Sequence, residues 1–126
     1  MPRIELELNR QLDYWGLLGS ADAIVDLTLM DNCLVCGAYE ALALGKPMLL
    51  SNNSASVELF GDCAVYTDNT AADIRAAVAR LKVEHERLRA AAERRRSELR
   101  EQWSDGAGRL RELLLGPRTL LAVEQR

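Results

Sequence analysis

The sequence predicts an α/β fold: a partial parallel sheet of three or four strands with flanking helices and a C-terminal helical segment. Three observations predict it. Short apolar runs at 23–27, 47–51 and 63–66 have strand length, helix-period segments lie between and after them, and Gly or Pro separates one kind from the other. Strands alternating with helices in this way give parallel neighbours joined by crossovers.

Residues 3–8 alternate Ile4, Leu6 and Leu8 with Arg3, Glu5 and Glu7, a period of two that suits a half-buried strand, although they can also start a helix. Leu12, Trp15, Leu17 and Leu18 recur at helical spacing, and Gly19-Ser20 ends that run. Ala23 to Leu27 reads as a strand covered on both faces. A helix from Val35 to Leu44 follows; Gly45 stands where a helix end takes a left-handed residue, and Pro47 stops continuation. Pro47 to Ser51 is the next strand. Asn52-Asn53-Ser54 is a turn and cap cluster before a brief helix, Ala55 to Phe60. Cys63 to Tyr66 is a third strand, and Thr67 to Thr70 opens a helix to Leu81 with Ile74, Ala77, Val78 and Leu81 on one face. From Glu84 to Gln102 a charged helix has a thin apolar side of Leu88, Ala91, Ala92 and Leu99. Trp103 to Gly106 is expected to break it. A last helix, Ala107 to Leu115, ends at Gly116-Pro117, and 118–126 reads as a loosely held tail.

At 126 residues, 48% hydrophobic and 28% charged, the chain can bury one core. A net charge of -3 supplies no basic field, so nucleic acid is not an expected partner. No apolar run reaches the roughly 18 residues of a membrane span, and a cytoplasmic location is expected. Cys33, Cys36 and Cys63 are too few and odd in number for a disulfide framework. Cys33 and Cys36 form a C-x-x-C, but the only histidine, His85, lies in a charged helical run, so packing is preferred to a metal or redox role. Neither metal nor cofactor is expected.

The informative stretch is 31–47, between the end of one buried strand and the start of the next, the edge of an open parallel sheet where ligands bind. A helix starting there offers unpaired backbone N–H groups and a positive dipole end to a phosphate or diphosphate. Gly37 allows close backbone approach, and Glu40, one turn in, can accept hydrogen bonds from vicinal hydroxyls such as those of a ribose. The bland alternative reads Glu40 as a solvated helix residue, Asn32 as a turn former and Tyr39 as a core aromatic.

From Tyr14 to Leu114, and most specifically over Gly37-Ala38-Tyr39-Glu40-Ala41-Leu42-Ala43-Leu44-Gly45-Lys46-Pro47, the sequence resembles nucleotide-sugar glycosyltransferases of the two-Rossmann-domain (GT-B, group 1) type. Their C-terminal donor domain carries an E-x7-E motif, a helix and a small-residue–Gly–x–Pro turn. Ala21-Asp22 and Trp103-Ser104 also look like that family. The resemblance implies that residues 1–117 are part of a Rossmann-like donor domain of a retaining transferase, and that a nucleotide sugar is the substrate. It further implies that Glu40 binds the ribose, that the catalytic first Glu is replaced by Asn32, and that the backbone of Cys33, Leu34 and Val35 holds the donor diphosphate. Asn32 can bond a sugar hydroxyl but brings no charge to an oxocarbenium-like transition state. Asp31 takes that part only if the loop is shifted.

Such an enzyme also needs an acceptor-binding N-terminal domain, so this chain alone is expected to be inactive as a transferase. The strand Ala23 to Leu27 then lacks one neighbour. Either residues 3–8 or a second copy, in a homodimer through the exposed sheet edge, is expected to fill that place. The alternatives are a nucleotide-binding module without catalysis and a helical protein-interaction module using Glu84 to Leu115.

Overall fold

A computed structural model describes residues 11–123, with side chains from 13 to 116. The strand expected at 3–8 lies outside the described residues. The chain divides into two compact units, one ending at Arg95 and one beginning at Arg96.

In the first unit, α1 (Gln11–Ser20) precedes β1 (Ile24–Asp26), α2 (Cys36–Ala43), β2 (Met48–Ser51), α3 (Ser54–Phe60), a 3-10 turn (Gly61–Cys63), β3 (Ala64–Thr67) and α4 (Ala71–Val83). The three strands form one parallel sheet in the order β1-β2-β3. The register aligns Val25 with Leu49 and Val65, and Asp26 with Leu50 and Tyr66. The α/β class and the parallel crossovers are those the sequence predicts.

Side chains alternate across the pleat, so Leu49 and Val65 share a face. That face packs on Ala77 and Leu81 of α4 and on Leu88 of the following helix, α5 (His85–Val123). Leu50 and Asp26 belong to the other face, which carries α2: Ala38, Ala41 and Leu42 of that helix are buried, and the Asp26 carboxylate reaches its Gly37. Burial of Leu88, Ala91 and Ala92 matches the thin apolar side read from the charged run. Caps form where expected. The Asn53 side chain accepts from the Ser56 amide, that of Thr70 accepts from the Asp73 amide, and Gly45 is left-handed at φ 64.

Two expectations fail. The strand at 23–27 is not covered on both faces: Val25 is 54% exposed, because α4 packs on β3 and β2 and leaves β1 as the outer strand among the described residues. Nor does the helix break at 103–106. α5 runs through Trp103-Ser104-Asp105-Gly106, since none of these residues is barred from helical φ/ψ, and the departure comes at Gly116 (φ 59, ψ 170). In the second unit every residue from Arg100 to Leu115 is exposed.

Candidate functional site

The carboxyl ends of the three strands are tied together by small polar side chains. Ser51 accepts from the Thr28 amide (2.8 Å) and donates to Asn69 Oδ1 (2.7 Å), while Asn69 Nδ2 donates to the Thr28 carbonyl (3.0 Å). Ser51 and Thr67 are buried there, and Asn69 holds a left-handed φ of 67, which a short amide tolerates better than a branched side chain. At the start of α4, Asp73 accepts from the Asp68 amide at 2.6 Å. That bond, with help from Thr67 and Arg80, holds its carboxyl below the usual range against a small opposing effect of burial.

Above this rim runs the loop 27–35. Asn32, also left-handed at φ 53, accepts a hydrogen bond from the Ser54 hydroxyl, and Asn53 Nδ2 donates to the Cys33 carbonyl (3.3 Å). The loop is thereby laid against the start of α3. Leu29, Met30 and Leu34 on it are exposed. Val35 is extended (φ -90, ψ 142) and has no side-chain cap bond to the helix that follows.

The first turn of α2 is capped from β1 instead. Asp26 Oδ2 accepts from the Gly37 amide at 2.9 Å, and a Cβ on Gly37 would meet that oxygen at 2.5 Å. The glycine expected to admit a ligand admits an aspartate of its own chain. A turn further on, Glu40 Oε2 accepts from the Tyr14 hydroxyl at 2.5 Å. That bond, followed by burial and by the charges of Glu40, Cys36 and Asp26, raises the Tyr14 phenol above its ordinary range. Tyr39, on the flank of α2 nearer α3, packs edge-on against Phe60 and is 45% exposed rather than a core aromatic.

The predicted residues therefore fall into two groups. Asn32 and Cys33 bond to α3 residues or their cap, whereas Gly37 and Glu40 bond to β1 and α1. Asp26, Tyr14, Ser51 and Asn69 were not singled out by sequence reasoning. Only Asp26 carried a signal: it sits two residues after Ile24, hence on the same strand face, and a carboxylate on a covered face needs a donor.

No family model, curated protein or solved structure matches this chain.

The cysteines divide as well. Cys63 is buried, with its thiol toward the Ala91 carbonyl, as packing predicts; Cys33 is half-buried and Cys36 exposed, so neither is a core residue. All three are free thiols, and the chain passes from Cys33 to Cys36 without turn or bend, which is unsuited to the close Cα approach of a disulfide. Among the described residues no group of three or more His, Cys, Asp or Glu is placed to hold a metal ion, and no helix is long and apolar enough to cross a membrane. A pocket of about 230 Å³ lies at the opposite end of β2, beside Lys46, Pro47 and His85. Its bases are already engaged: Lys46 donates to the Gly19 carbonyl and His85 Nε2 lies 2.8 Å from the Asp22 carbonyl.

Proposed function

We propose that the chain is the donor-binding portion of a retaining nucleotide-sugar glycosyltransferase. The observation that carries the reading is that the stretch resembling that family, Gly37 to Pro47, forms the crossover helix and turn between two adjacent parallel strands. Its amino end and the loop before it therefore belong to the strand edge at which open α/β sheets bind ligands.

In this reading Glu40 accepts from the ribose hydroxyls, and Tyr14 orients its carboxylate. Asn32 bonds a hydroxyl of the transferred sugar. Backbone amides of Cys33, Leu34 and Val35 meet the diphosphate, with the Gly37 amide withheld by Asp26. One wall of a transferase cleft holds a donor without bringing an acceptor to it, so the isolated chain does not catalyse transfer.

A second reading, a nucleotide-binding module without catalysis, is favoured by two features of the same site. Asn32 brings no charge to the sugar, and Asp26 adds a negative charge beside the place of the diphosphate.

Calorimetric titration with uridine, guanosine and adenosine diphosphates tests the shared claim. One of them binds, and Glu40→Ala weakens it about tenfold, the loss of hydrogen bonds to a charged acceptor. The absence of binding by all three at millimolar concentration ends both readings. Slow release of sugar from a nucleotide sugar by the wild type but not by Glu40→Ala supports the transferase reading over the bare binding module.

A further inference from the structure

The second unit carries a feature that donor binding leaves unused. On α5, Leu99, Trp103, Gly106, Ala107, Leu110 and Leu114 fall on one face at helical spacing. Trp103 is 77%, Leu110 56% and Leu114 75% exposed, an apolar stripe that a folded chain does not leave in water without a partner.

The pattern is symmetric. Reading from Leu99, the steps to Trp103, Gly106, Ala107, Leu110 and Leu114 are four, three, one, three and four residues, the same in either direction. A surface that reads alike from both ends is self-complementary under a two-fold axis perpendicular to the helix, the isologous arrangement of homodimers. Superposed in that way, Trp103 meets Leu110 of the second copy, Leu99 meets Leu114, and Gly106 meets Ala107 at the axis.

Gly106 supplies independent support. A Cβ there would touch nothing within 4 Å, so no contact inside the chain calls for glycine. Within a helix glycine costs about 1 kcal/mol relative to alanine. Close approach of a second helix at the axis gives the position a use, with only Gly106 and Ala107 between the two backbones.

We propose that residues 99–114 of α5 pair antiparallel with the same segment of a second copy of this chain. Charges do not decide the geometry. Asp105 on one rim comes opposite Arg109 of the other copy, while Arg100 and Arg111 on the other rim come near each other, and the two effects offset. The apolar stripe decides it, and one tryptophan with three leucines per copy removes on the order of 1,000 Å² in all from water. That lies at the low end of specific interfaces, so association is weak, with Kd about 10–100 μM.

Analytical ultracentrifugation of the full chain from about 1 μM to 1 mM, a range that brackets this Kd, tests the pairing. The expected mass rises with concentration from 14.0 kDa toward twice that value. Gly106→Glu and Leu110→Glu stay at the single-chain mass, and Gly106→Glu also has the better helix propensity, so its loss of pairing is not a loss of helix. With Cys33 and Cys36 changed to Ser, Ala107→Cys oxidises to a covalent dimer and Leu114→Cys does not. A mass that never leaves the single-chain value overturns the proposal, as does a dimer that survives both glutamates. Cross-linking of Leu114→Cys as readily as Ala107→Cys, the mark of a parallel pair, also overturns it.

Discussion

The carboxylate of Asp26, at the end of β1, accepts a hydrogen bond from the backbone amide of Gly37 in the first turn of α2. The strand thus caps the helix that follows it. The cap brings a full negative charge to the positive end of a helix dipole, which stabilises both partners.

The contact leaves no room for a side chain at position 37. Gly37→Ala sets a Cβ 2.5 Å from Asp26 Oδ2 and is expected to destabilise the chain by about 1–3 kcal/mol in urea unfolding, the usual range for overpacking. In an Asp26→Ala background the same substitution costs less than half as much. Equal costs in the two backgrounds remove the clash as the reason for glycine.

Asp26 also faces any diphosphate at this edge. Asp26→Asn keeps an oxygen for the Gly37 amide and removes the charge, so nucleoside diphosphates bind roughly tenfold tighter to it. Unchanged affinity, measured beside a wild type that does bind, means that the diphosphate lies elsewhere.

Tyr14 and Glu40 join α1 to α2, and the phenol titrates high chiefly because its proton is shared with that carboxylate. In Glu40→Gln the Tyr14 transition, followed by ultraviolet absorbance, moves down toward that of an ordinary tyrosine. A profile identical to wild type shows that the pair does not form in solution.

Asn69 has two tasks, a left-handed backbone and bonds to Ser51 and Thr28. Asn69→Gly keeps the backbone and loses the bonds; Asn69→Ala loses both. Each is expected to destabilise by about 1–3 kcal/mol, with alanine the worse. Thermal melts of the pair that place glycine below alanine contradict this division.

Burial, with the neighbouring Cys63 and Asp62, pushes the Tyr66 phenol up to about 12, while its hydroxyl donates to the Gly61 carbonyl at 2.8 Å. The folded state therefore keeps a proton that the unfolded state gives up near pH 10, so this contribution is present below pH 10 and lost between about pH 10 and 12. With allowance for partial solvent screening it amounts to about 1–2 kcal/mol. Tyr66→Phe flattens that part of the stability profile. Asp73 acts at the other end: its lowered folded pKa gives stability present above its ordinary value of 3.8 and lost as pH falls below it. Asp73→Asn removes this acid-side slope.

The periodicities and caps of residues 11–95 were legible in the chain itself. Alternation in 23–27, the Gly45-x-Pro47 stop and the Asn53 and Thr70 caps are interactions within a few residues, and they predict element type and order with ends displaced by a residue or two. Tertiary structure alone decided which donors and acceptors the site leaves open. The Gly37 amide is taken by an aspartate eleven residues earlier and the Glu40 carboxylate by a tyrosine twenty-six residues earlier. Neither pairing has a local period to betray it, because both depend on how β1 and α1 come to lie beside α2. The exposure of Val25 is of the same kind: an apolar strand residue is covered only if a helix reaches that far across the sheet, and α4 does not.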